Sequence, residues 1–169
     1  MTTLNPDHLF EQAEGLIAAP PVERPRQADL RRAISSAHFG LFHYVLTCLA
    51  DEFIGVTQRA TPRYALVYRN LDHRTLKDAC YEIRKQRPSQ RYAPYVPPNG
   101  FGGGIKAFAT AAIELQEERH EADYDPEPRF RMSDATLAVS NARLGVSQFA
   151  QESKAHQRVF LTLLLCLPR

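Results

Sequence analysis

Residues 29–53 read DLRRAISSAHFGLFHYVLTCLADEF, and the spacing of their apolar side chains decides the fold class. Leu30, Ala33, Ile34, Ala37, Leu41, Tyr44, Val45, Cys48 and Leu49 recur at helical intervals. Phe39, Phe42 and Leu46 make a second apolar stripe. A helix that is apolar on two sides needs a neighbour on each, so this is the central element of a bundle. Set into it is a polar line, Arg31, Ser35 and His38 at i, i+4 and i+7, with His43 on a neighbouring line beside Arg32 and Ser36. Such residues either line a polar groove or hydrogen-bond across helices.

Working outward, Asn5 and Pro6 cap and start an earlier helix carrying Leu9, Ala13, Leu16 and Ile17 on one face. Pro20, Pro21 and Pro25 forbid its continuation. Beyond Thr61 and Pro62, a short helix precedes another over about 72–86, in which Leu76, Ala79, Cys80 and Ile83 share a face. Residues 88–104 then hold four prolines and four glycines, which marks a loop over about 87–104. The helix predicted over about 105–124 buries Ile105, Phe108, Ala109, Ala112, Ile113 and Leu115. Its Glu114, Glu117, Glu118 and Glu121 make one solvated acidic face. Ser133 reads as the next N-cap, with Met132 and Leu137 as a hydrophobic staple. That helix runs to about residue 154, and a last apolar helix runs through 167. With no strand-like alternation, the expectation is all-α: one domain, residues 1–169, an up-and-down bundle of about five to six helices.

Composition narrows the class. The chain has 169 residues, 44% apolar and 24% charged, with 9 Phe and 7 Tyr. That excludes a disordered tail, a collagen and a small disulfide scaffold. A domain of this size removes roughly 70% of its extended-chain surface from water. The net charge of +2 gives no bulk-charge reason to bind nucleic acid. It is unevenly spread: residues 59–91 hold nine basic and three acidic groups, and residues 114–134 hold eight acidic and three basic. These are solvated helix faces, or a basic segment that meets phosphates or the acidic segment of a second subunit. Cys48, Cys80 and Cys166 are an odd, scattered set, read as reduced thiols. With no basic-then-apolar leader, and no apolar run longer than residues 159–167, a cytoplasmic protein without a membrane partner is expected.

Chemistry concentrates in two clusters. Extending the apolar rows of the 105–124 helix lands on Arg119 and His120, away from the acidic face, toward the bundle or a partner. An inward cation is costly unless it is paired or serves a ligand. Asp123, four residues on, is the nearest partner for Arg119, and Tyr124 follows. The second cluster is Arg69, Asn70, His73 and Lys77, a phosphate-binding edge or a solvated corner in which Asp72 caps the next helix. NGFGGGIK at 99–106 matches neither a Walker A loop nor G-x-G-x-x-G. Tyr92, Tyr95 and Phe101 beside Arg87 and Arg91 either stack bases or fasten the loop down. No His/Cys set has metal-ligand spacing, so no metal and no cofactor is expected.

Three stretches, LRRAISSAHFGLFHYVL, YRNLDHRTLKDAC and ELQEERHEADYDP, resemble bacterial HEPN-domain proteins, helical bundles of the higher-eukaryote and prokaryote nucleotide-binding group. The resemblance spans about residues 28–165 and is most specific at ERHEADYDP. It implies a homodimer with a cleft that binds RNA or nucleotide phosphates, of toxin or phage-defence type, with an antitoxin or nucleotidyltransferase as partner. The non-enzymatic branch of the family implies an interaction module instead. In its ribonuclease branch an Arg, usually followed by a polar residue, precedes a His by about four to six residues and cleaves RNA without metal. Arg119 is followed by polar His120, but Asp123 and Tyr124 stand where the His belongs; Arg69-Asn70 begins the pattern, and His73 arrives one residue early. What the resemblance implies is therefore Arg119 as phosphate clamp, His120 in proton transfer, Asp123 orienting and Tyr124 lining. Arg69, Asn70, His73, Lys77, His38 and His43 stand as second-rank phosphate or RNA contacts.

Overall fold

The computed structural model describes residues 4–18 and 25–168. Among the described residues seven α-helices follow one another: α1 (Pro6–Ile17), α2 (Gln27–Phe53), α3 (Pro62–Tyr68), α4 (His73–Arg84), α5 (Gly103–Tyr124), α6 (Met132–Gln151) and α7 (Lys154–Leu165). No strand occurs among the described residues. The all-α expectation holds, with seven helices against about five to six expected, and the break at Glu152 and Ser153 between α6 and α7 falls where a separate last helix was expected. Pro20 and Pro21, expected to stop α1, lie outside the described residues.

Local chemistry sets the helix starts. Asn5 accepts from the Asp7 amide, Thr61 from Tyr64, Asp72 from Thr75 and Ser153 from His156. The expected cap of α6 is corrected. Arg131 is the N-cap residue, its amide donating to the Asp134 carboxylate at 2.7 Å, and Ser133 lies inside the first turn. No staple forms either, because Met132 and Leu137 are both exposed.

Helix α2 is the axis. It packs on α1, α3, α5, α6 and α7, while α4 lies on α5 and α7 crosses the ends of α2, α4 and α5. By length and composition α2 could span a bilayer, contrary to the sequence expectation, but most of that window is buried inside the protein. Its neighbours alternate in direction. Arg31 and Ser35 meet Ala122 and Asp123, so α5 runs antiparallel to α2. Gly104 meets Glu152 and Gly145 meets Ala111, so α6 runs antiparallel to α5. Close approach at Gly145 is needed, since a Cβ there would lie 2.9 Å from the Ala111 methyl.

The Pro/Gly segment is a fastened loop. Tyr92 and Phe101 are buried in the core cluster, whereas Tyr95 is exposed. At its end, the Gly104 amide donates to Glu152 Oε2 at 3.0 Å and the Gly102 amide to His156 Nδ1 at 3.3 Å. The start of α5 therefore carries the chain's own carboxylate where a phosphate cradle would need room.

Candidate functional site

The polar line of α2 faces the last turns of α5. Arg31 grips that end: its guanidinium donates to the carbonyls of Ala122 (2.9 Å), Asp125 (2.6 Å) and Pro128 (2.6 Å), and lies over the Phe130 ring. One side chain thus satisfies carbonyls that every helix end leaves open. The sequence marked Arg31 only as part of a polar line; its partners are more than ninety residues away.

One turn along, Ser35 donates to Asp123 Oδ2 at 3.3 Å, and the same oxygen accepts from Arg119 Nε at 2.8 Å. The expected Arg119–Asp123 pairing is present, with side chains 19% and 25% exposed. Arg119 lies between two rings, its guanidinium carbon 5.1 Å from the Phe39 centroid and 5.7 Å from that of Tyr124. Its Nη2 reaches the Tyr124 hydroxyl at 3.4 Å. Asp123 engages Nε, so it orients the guanidinium without covering the Nη edge.

Behind Phe39 lies a cluster that local sequence spacing did not predict. His38 on α2 and His73, the first residue of α4, have ring centroids 5.0 Å apart. His73 also lies 3.8 Å from Phe42 and 5.7 Å from Phe39, centroid to centroid. His38 is 2% exposed, and neither its Nδ1 nor that of His73 has a hydrogen-bond partner among the described residues. Burial pushes the His38 imidazolium down to about 3, with further lowering from His73, Arg119 and His43. His73 is lowered first by burial and then by Arg119 and His43, while Asp72 opposes the change. His43 is lowered by burial and pairs with the Tyr68 hydroxyl at 2.8 Å.

A mostly apolar cavity of about 460 Å³ lies elsewhere against α3, lined by Ala60, Pro62, Ala65, Leu66 and Arg69. The cavity beside Arg119 measures about 450 Å³ and is lined by Lys77, Gln116, Glu117, Arg119, His120 and Glu121. His120 is exposed, its ring 5.1 Å from that of Tyr124, so it points away from the bundle and not along the buried row. Lys77 pairs with Glu117 at 3.1 Å, which brings the basic and acidic segments together within one chain.

The two sequence clusters are thus regrouped. Arg119, Asp123, Tyr124, His38 and His73 converge on one end of the α2–α4–α5 junction, with Lys77 and His120 at the adjoining cavity. Arg69 and Asn70 are exposed at the end of α3, and Arg69 lines the other cavity. The acidic face of α5 is also less uniform than expected. Glu118 is half-buried with Oε2 unpartnered among the described residues, and burial together with Glu114, Glu121 and Asp134 raises it to about 6. The described residues include no group of three or more metal-ligating side chains. Comparison of the chain with protein-family models, with curated proteins and with solved structures gave no significant match.

Proposed function

We propose that this is a HEPN-like protein that binds RNA or nucleotide phosphates through Arg119 at a cleft between two copies of the chain, and that any cleavage it performs is metal-independent. The observation that carries the reading is the state of Arg119: Asp123 holds Nε at 2.8 Å, while the guanidinium lines a polar cavity shared with Lys77 and His120. A fixed planar cation, with Lys77 and its partner Glu117 on the same wall, suits the oxygens of a phosphodiester. His120, on the same cavity wall, is placed to give or take a proton at a bound phosphate's ester oxygens. The second copy, an antitoxin or a nucleotidyltransferase would meet the chain at this open face. Three free thiols fit a reducing, cytoplasmic setting.

A second reading is a non-enzymatic interaction module, favoured by the completeness of the Ser35–Asp123–Arg119 network as a helix-end clamp. Metal-free incubation of the protein with total cellular RNA, beside a folded Arg119→Ala variant, separates the two. Cleavage or RNA retention that is lost in the variant supports the phosphate site. A folded, dimeric wild type that neither cuts nor retains RNA supports the module.

A further inference from the structure

Resting on the phosphate-site reading, we infer that His73, brought in by α4, is the group that accepts a proton at this site, and that His38 is the positioning residue behind it. The α5 segment that holds Arg119 has no histidine after His120. The fold delivers one from another helix. His73 lies one turn before Lys77, which lines the cavity, and its ring is wedged against Phe39, the same ring that carries the Arg119 guanidinium on its face.

Two buried imidazole nitrogens left unpaired, on rings whose centroids lie 5.0 Å apart, are costly, because each forfeits its bond to water. The pair makes chemical sense as a proton acceptor with a backing group. Neutral His73 takes a proton at Nε2, and its Nδ1–H then donates toward the lone pair of His38 Nδ1. His38 stays neutral because burial keeps the charged form out, so it can receive that bond without adding a second charge. The groups facing His73 are His38 and His43 from α2, Tyr68 from α3 through His43, Asp72 and Lys77 from α4, and Arg119 with its Asp123 from α5. Arg119 opposes the charged form of His73, and an arriving phosphate dianion offsets that opposition.

With RNA as substrate, the 2′-hydroxyl proton passes to His73 as its oxygen bonds to phosphorus. The P–O5′ bond breaks, and the departing 5′-oxygen takes a proton from His120 on the cavity wall. The products are a 2′,3′-cyclic phosphate and a 5′-hydroxyl, with no metal and no redox change.

The test is a histidine-ring NMR titration of the full chain, with and without inorganic phosphate or cytidine 3′-monophosphate. Assignments come from His73→Gln and His120→Gln, and the Arg119 Nε–H signal is followed in parallel. The expected result is an upward move of the His73 midpoint by about one pH unit on binding, a tenfold gain in proton affinity. His38→Phe, or His38→Gln where the first does not fold, should remove most of that move while Arg119 still responds. If the Arg119 signal moves and His73 does not, the phosphate site stands and the role of His73 falls. If neither moves at saturating phosphate, both fall.

Discussion

The two ends of α5 obey opposite rules. At its start, Gly102 and Gly104 donate to His156 and Glu152 brought back from the α6–α7 joint, so a stretch rich in glycine closes on the chain itself. At its far end, Arg31 satisfies the carbonyls, yet next to that clamp His38 and His73 keep unpaired buried nitrogens and Arg119 keeps an edge toward a cavity. The glycine loop matches no phosphate-cradle motif in sequence, and in the structure it is a filled structural joint. The other end carries the Arg119 cluster in sequence and, joined by His38 and His73 from other helices, gathers the unpaired polar groups. Polar groups left without partners, rather than motif shape, distinguish the end where the site is proposed.

The largest expected effect is on the clamp. Arg31→Ala removes bonds to four carbonyls and the contact with Phe130, and should cost about 4 kcal/mol in urea unfolding. A loss below about 1 kcal/mol would mean that water replaces the guanidinium, and the far end of α5 would then be no better anchored than an ordinary helix terminus. Next comes the closed end. A Cβ at Gly104 would run into the Gln148 carbonyl oxygen, backbone that cannot swing aside, so Gly104→Ala should cost about 2–3 kcal/mol by the same measurement.

Acid should tell apart two groups near the far end of α5. His38 has a folded value of about 3 against an ordinary 6.5, so the unfolded chain takes up the proton first as pH falls. Its contribution to stability is present above 6.5 and is lost between there and about 3, with a slope approaching 1.4 kcal/mol per pH unit. Unfolding curves of His38→Phe should lose that part of the slope, and an unchanged slope would move the acid sensitivity elsewhere. The smallest effect has the opposite sign. Glu118 is raised from 4.5 to about 6, so its contribution is present in acid and lost as pH rises through 6. Glu118→Gln should therefore stabilise the protein at pH 7, by about 1 kcal/mol once solvent screening is allowed for, and do nothing below pH 4.5.

Much of the fold was legible because helix spacing is a local signal. The two-sided apolar pattern of residues 29–53 marked α2 as the axis, and Asn5, Thr61 and Asp72 cap the helices they precede. Ser133 failed as a cap because Arg131, two residues earlier, is joined to Asp134 by the tighter local bond. Of the site, the Arg119–Asp123 pair was legible since i and i+4 meet on any helix. His120 was misplaced because α5 ends before that row meets another helix, so a row buried at Ala109 is in water by His120. The meeting of His38 with His73 joins residues 35 apart and depends on how α4 docks, which no local periodicity encodes.

Gly40 lies under the Phe10 ring, so close that any Cβ there would enter the ring. Arg143 also lies over that ring, 5.0 Å from its centroid, and ties to Glu14 at 2.7 Å. α1 is therefore held like a bolt in a slot, by one ring set against a bare backbone and a guanidinium. In hydrogen-exchange terms, its amides should open together, in one event set by the withdrawal of Phe10 and not by fraying from the ends. That event would uncover the α2–α6 trench while leaving the α2–α4–α5 junction closed, which makes the first helix a separately removable cover on one side of the molecule.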